Sequence, residues 1–124
     1  MKKVNIEAFG EGQQVWFNIG RLKKVEEKLK KPIGEVLQDA DQLNLTNMLV
    51  LLQAGMSQNG DKSEQYYSNK IDEALEKGFS IVDIQLALVK AVAGSGLLGQ
   101  GFYYQMFPEE LTEEKIKEIN AEKN

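Results

Sequence analysis

The segment over residues 15–37 constrains the fold of this chain most, because it combines a short apolar run, a helix cap and a helix break. Its sequence reads VWFNIGRLKKVEEKLKKPIGEVL. The run Val15-Trp16-Phe17 is typical of a strand, and Asn18 can cap the basic amphipathic helix that follows. Pro32 ends or kinks that helix, and a second short helix runs from Ile33 to about Ala40. We therefore expect a strand joined to a broken pair of helices near the N-terminus.

The residues before this segment complete a predicted β-hairpin. Val4 and Ile6 alternate with polar residues, as in a half-buried strand, and Gly10-Glu11-Gly12 is a turn signal. We place the hairpin over residues 3–17. A lone hairpin is marginally stable in water, so this one must pack on helices or pair with another chain.

Apolar periodicity predicts that the chain is mostly helical from about residue 18 to 93. Residues 45–52 are apolar nearly all round in their second half, which is typical of the buried centre of a bundle. We also expect Ile19, Leu75 and Leu86 to lie on the buried faces of their helices. The predicted fold class is α+β and mostly α-helical, with the N-terminal β-hairpin packed on a bundle of four to five helices.

The C-terminal third divides by composition into three parts. Residues 94–101 are rich in glycine and are read as a hinge, residues 102–107 are an aromatic segment, and residues 108–124 form a flexible, charged helical tail. The globular domain is accordingly placed over residues 1–107. The hinge contains a literal GxGxxG, but a predicted helix precedes it and too few residues follow it to complete a dinucleotide-binding unit.

Composition narrows the chemistry open to this chain. It has no histidine and no cysteine, which removes Ser-His-Asp catalysis, thiolate nucleophiles and most zinc sites. Carboxylate or Ser/Lys catalysis remains formally open, but no spacing points to it. We predict no catalytic, cofactor-binding or metal-binding residue, and therefore not an enzyme.

Charge and hydropathy indicate which partners to expect. The net charge of −4 argues against nucleic acid, and no apolar run is long enough for a membrane span or a signal core, so a cytoplasmic protein is expected. Residues 1–31 carry eight basic and four acidic groups, whereas residues 109–124 carry three and six. The basic N-terminal part could thus meet an acidic part of a neighbouring copy, although solvated charges would explain the same pattern.

Aromatic residues and methionine are the candidate partner-binding residues, because both are enriched in the cores of protein interfaces. Burial in this domain's own core is the alternative for each of them. The candidates are Trp16, Phe17, Phe102, Tyr103, Tyr104, Met106 and Phe107.

The chain resembles the tail assembly chaperones of long-tailed phages and prophages of Gram-positive bacteria. The resemblance begins in the hairpin, continues through FNIGRLKKVEEKL at residues 17–29 and KPIGEVL at residues 31–37, and reaches the apolar helix LVLLQAGM at residues 49–56. An acidic helix near residues 72–76 and a helix over residues 81–93 follow in the family's order. The resemblance covers about residues 4–93 and includes no catalytic signature.

This resemblance implies an assembly factor that acts without catalysis in the host cytoplasm and is absent from the mature virion. Its implied partners are the tape measure protein, which it keeps soluble, and the major tail protein, which it helps to recruit. Self-association is expected, since one copy covers little of a long filament. The alternative function is a small acidic phage-encoded inhibitor or adaptor that binds a host defence protein.

Overall fold

The computed structural model describes residues 1–38 and 44–123. Within these residues the chain forms a two-stranded antiparallel sheet and seven α-helices. Short 3₁₀ turns lie at Glu7–Phe9, Ser57–Asn59 and Pro108–Glu110. The strands and helices are β1 (Val4–Asn5), β2 (Gln14–Val15), α1 (Ile19–Leu29), α2 (Ile33–Gln38), α3 (Leu45–Gly55), α4 (Glu64–Glu76), α5 (Ile81–Gly94), α6 (Gly99–Met106) and α7 (Glu113–Lys123).

Local capping residues determine where several helices begin and end. The Asn18 side chain accepts a hydrogen bond of 2.8 Å from the backbone N–H of Arg21 at the start of α1. Lys30, in the left-handed conformation with φ of +55°, ends the helix just before Pro32. A capping box of Ser80 with Asp83 is present at the start of α5. The predicted extension of α2 to Ala40 lies outside the described residues.

Helix α3 forms the centre of the core, as its apolar sequence predicts. It packs against α1, α4 and α5, and most of its side chains are buried. The hairpin lies against α5, with β1 paired antiparallel to β2 so that Val4 faces Val15. The predicted fold class, mostly helical with a small N-terminal hairpin, is confirmed.

Two helix C-termini hold the hairpin in place. The N–H of Lys2 donates to the carbonyl of Gly94 at the end of α5, and the N–H of Trp16 donates to the carbonyl of Gly55 at the end of α3, each over 3.0 Å. Both carbonyls lie in the last turn of a helix, where no helical partner remains for them. Both helices end in glycine where the hairpin backbone passes closely.

Three residues that periodicity placed on buried faces are exposed. Ile19 is 62% exposed, Leu75 is 45% exposed and Leu86 is 50% exposed. An apolar stripe on a helix shows which residues can be buried. It does not show how much of that stripe a neighbouring helix or strand covers. Here the neighbouring elements cover only part of each stripe, so these predictions of burial are wrong.

The connection between the helices of the C-terminal third is shorter than the sequence suggested. Helix α5 includes Gly94, and α6 begins at Gly99, so the predicted hinge over residues 94–101 shrinks to a four-residue turn. The predicted aromatic segment is the main part of α6 together with Phe107, and the predicted tail contains α7.

Candidate partner-binding site

Helix α6 carries four of the seven residues predicted to bind a partner. Phe102, Tyr103, Tyr104 and Met106 are all half-buried on this short helix. The rings of Tyr103 and Tyr104 meet edge to face with centroids 5.2 Å apart. These side chains keep exposed area in the monomer and remain candidates for partner contact.

Two predicted partner-binding residues are instead core residues. Phe17 is fully buried in the main core, and Phe107 is 4% exposed. The Phe107 ring lies 5.0 Å from that of Tyr103, and the ammonium of Lys2 lies 5.6 Å from its centroid. Neither phenylalanine offers surface to a partner, so both are removed from the candidate site.

A polar clasp ties the C-terminal segment to the N-terminus. The Lys2 ammonium donates to Glu110 Oε1 over 2.8 Å. The Glu110 carboxylate also acts on the hydroxyl of Tyr103 and is the main cause that raises the pKa of Tyr103 to about 12. The hydrogen bond from Lys2, and secondly the Tyr103 hydroxyl, lower the pKa of Glu110, while Glu110 raises that of Lys2. The clasp therefore requires a carboxylate, an ammonium and a neutral phenol.

Acid is expected to loosen this clasp. Because the pKa of Glu110 is lowered by folding, its contribution to stability is present above the ordinary value of 4.5 and is lost as the pH falls through the lowered pKa. Amide exchange of residues 99–111, measured by NMR between pH 6 and pH 3, should then accelerate relative to the main core.

The variant Glu110→Gln should remove most of this acid dependence, whereas Glu109→Gln, an exposed neighbour, should retain it. Equal acid dependence in both variants would contradict the role of the clasp. In alkali the sign reverses, because the raised pKa values of Lys2 and Tyr103 keep their contribution below pH 10 and lose it above.

An apolar groove between α6 and α7 forms the main feature of this surface, and we call it the C-terminal groove. Its volume is about 410 Å³. Helix α7 leaves most of its side chains exposed, and Ile119 on it is half-buried toward α6. The groove is lined by Gln100, Gly101, Tyr104, Gln105, Leu111 and Ile119.

Sequence reasoning identified only Tyr104 among the residues of the C-terminal groove. The signal for Leu111 and Ile119 was that both are apolar residues in a charged segment; Ile119 lies on α7, and Leu111 lies two residues before its start. This signal marks both as candidates for burial but does not show which element they contact. Their position beside α6 follows from the turn at Pro108–Glu110, which the clasp holds.

The half-buried ring of Trp16 is in contact with Arg21 of the same chain. The guanidinium carbon of Arg21 lies 3.2 Å from the Trp16 ring centroid, a stacked cation–π contact. Arg21 Nη1 also donates to the carbonyl of Gly55 over 2.9 Å and to Oε1 of Gln58 over 2.8 Å. Burial lowers the pKa of Arg21. This cluster joins the hairpin, α1 and the end of α3, and it covers part of the surface predicted for Trp16.

A second groove, which we call the edge groove, lies between β1 and the outer face of α5. Its volume is about 270 Å³, and the half-exposed Leu86 forms part of its wall. Sequence reasoning missed it because Leu86 was assigned to the buried face. The edge groove is lined by Val4, Asn5, Glu7, Ala8, Phe79, Asp83, Leu86, Ala87 and Lys90.

Comparisons with protein-family models, with curated proteins and with solved structures find no match to this chain. In the part of the chain that the structure describes, no helix is both long enough and apolar enough to cross a membrane. The same residues contain no group of three or more acidic side chains placed to hold a metal ion.

Proposed function

We propose that this chain is a tail assembly chaperone of a long-tailed phage or prophage. In this proposal it binds the tape measure protein, keeps it soluble, and helps to recruit the major tail protein. It acts by binding alone, in the host cytoplasm, and is absent from the mature virion.

The observation that carries the proposal is the C-terminal groove. An amphipathic helix binds by placing apolar side chains, spaced three or four residues apart, into a groove between apolar walls. Tyr104, Leu111 and Ile119 provide such walls, and Gly101 leaves room for a close approach because nothing lies within 4 Å of where its Cβ would stand. A groove of this kind suits a long, helical, aggregation-prone partner.

Charge around this groove supports a soluble complex. Residues 109–124 carry a net charge of −3, and most described side chains of α7 are exposed. A chaperone that covers apolar surface on its partner must itself present charged surface to water, because net charge opposes association and precipitation. Helix α7 can therefore bind on one face and remain solvated on the other.

Co-expression with the tape measure protein of the same genome tests the proposal. We expect the partner to be soluble and to co-purify with this chain. The variant Tyr104→Ala should weaken the complex about tenfold or more, since tyrosines in interface centres are frequent hot spots. Tyr66→Ala is the matched control, because Tyr66 is also partly exposed but lies on α4.

Two results would contradict the proposal. One is a tape measure protein that stays insoluble while this chain elutes alone. The other is equal binding by the Tyr104 and Tyr66 variants. Salt separates the proposal from the alternative of an acidic inhibitor of a host protein: an apolar groove should hold its partner between about 0.1 and 1 M salt, whereas a charge mimic should lose its target.

A further inference from the structure

The outer edge of β1 is open. Backbone groups along a strand point alternately to its two sides. Val4 pairs with Val15, and the N–H of Ile6 donates to the carbonyl of Gln13, so the even-numbered residues face β2. The N–H and C=O groups of Lys3 and Asn5 therefore point to the other edge, and the sheet of the described residues has no third strand there.

The two ends of this edge carry opposite charge. Strand β1 runs antiparallel to α5. Lys2, before β1, bonds to Gly94 at the end of α5, and Glu7, after β1, shares the edge groove with Asp83 near the start of α5. Lys3 and Lys90 thus lie toward one end, and Glu7 and Asp83 toward the other. Within the described residues, no ion pair is formed by Lys3, Glu7 or Lys90.

We propose that two copies of this chain pair along their β1 edges, antiparallel and centred on Asn5, and so form a four-stranded sheet across a twofold axis. In this register Lys3 of each copy lies beside Glu7 of the second copy, which is the first residue of the 3₁₀ turn that follows β1. The sequence KVNIE at residues 3–7 is its own complement in charge when read antiparallel. A twofold contact requires this self-complementarity, which a surface for an unrelated partner does not need.

Helix α5 extends the same pattern beside the sheet. Its groove-lining face carries Asp83 at one end and Lys90 at the other, with Leu86 between them. The same twofold axis places Asp83 of one copy near Lys90 of the second copy. Leu86, which is half-exposed in the monomer, then gains apolar cover from the second copy. The occupant of the edge groove is thus a second copy of this chain, independent of any binding at the C-terminal groove.

Sedimentation equilibrium of the purified chain tests the pairing first. We expect a concentration-dependent mass that approaches twice the 14.0 kDa of one chain. A monomer at all concentrations up to about 1 mM would overturn the proposal, and would mean that Lys3 and Glu7 keep the edge unpaired.

Charge exchange on the edge identifies the interface. Lys3→Glu and Glu7→Lys each place like charges opposite each other twice in the dimer, and each should raise the dimer dissociation constant about tenfold or more. Both side chains are exposed, so the fold should be retained, which circular dichroism can verify. The double variant Lys3→Glu/Glu7→Lys restores opposite charges and should recover the dimer.

Mixing the two single variants gives the sharpest result. One edge is then wholly acidic and the other wholly basic, so the mixture should form a heterodimer more readily than either variant forms a homodimer. Glu11→Lys, at the exposed hairpin turn, is a matched charge control and should leave the dimer unchanged. A dimer that is insensitive to all edge variants would overturn the proposal.

Discussion

Phe17→Ala is expected to lower the free energy of unfolding by about 3–5 kcal/mol, the usual range for removing a buried phenylalanine side chain. Phe17 is fully buried, and its ring lies against the C-terminal end of α3, where Gly55 passes closely. The substitution would leave a cavity where the hairpin joins the core. Chemical denaturation followed by circular dichroism measures the change.

Trp16→Ala is the matched control, since Trp16 precedes Phe17 directly and is only half-buried. It should lose the stacked contact with Arg21 and cost less, about 1–2 kcal/mol. Equal losses for the two variants would contradict the assignment of Phe17 to the core and of Trp16 to the rim.

Gly55→Ala is expected to destabilise the fold by about 1–3 kcal/mol, although alanine normally favours a helix over glycine. A Cβ at Gly55 would stand 2.5 Å from Cγ2 of Val15 and 2.8 Å from Cζ of Phe17. Both neighbours are fully buried and cannot move aside without shifting the hairpin. Thermal or chemical denaturation measures the effect.

Gly34→Ala provides the opposite control within a helix. Gly34 lies in α2, and nothing lies within 4 Å of where its Cβ would stand, so this variant should stabilise the protein by about 0.5–1 kcal/mol. If both alanine variants moved stability in the same direction, close approach of the hairpin at Gly55 would not be its main determinant.

Local signals predicted the helices well because the interactions that begin and end a helix are close in sequence. Asn18 caps α1 through Arg21, and Ser80 caps α5 through Asp83, each within three residues. Pro32 marks the break between α1 and α2 for an equally local reason. None of these depends on how the helices pack.

Predictions about burial and contact were less successful. Leu86 fits the apolar pattern of α5, yet it forms part of the wall of the edge groove. Phe107 looked available after a glycine-rich stretch, yet it is buried beside Tyr103 and the ammonium of Lys2. The burial of Phe107 depends on contacts between residues more than a hundred positions apart, such as Lys2 and Glu110, which no local pattern connects.

By itself the sequence determined the fold class, the helix caps and breaks, and a chemistry without histidine or thiolate, because those follow from residue type and from neighbours a few positions away. Only the tertiary structure decided which apolar residues lie open at the C-terminal groove and which lie in the core. It also decided that basic residues of β1 and α5 lie together at one end of the open edge and acidic residues at the other end. The physical reason is that burial is set by the element that packs across a face, and the pairing of faces is a property of the whole fold.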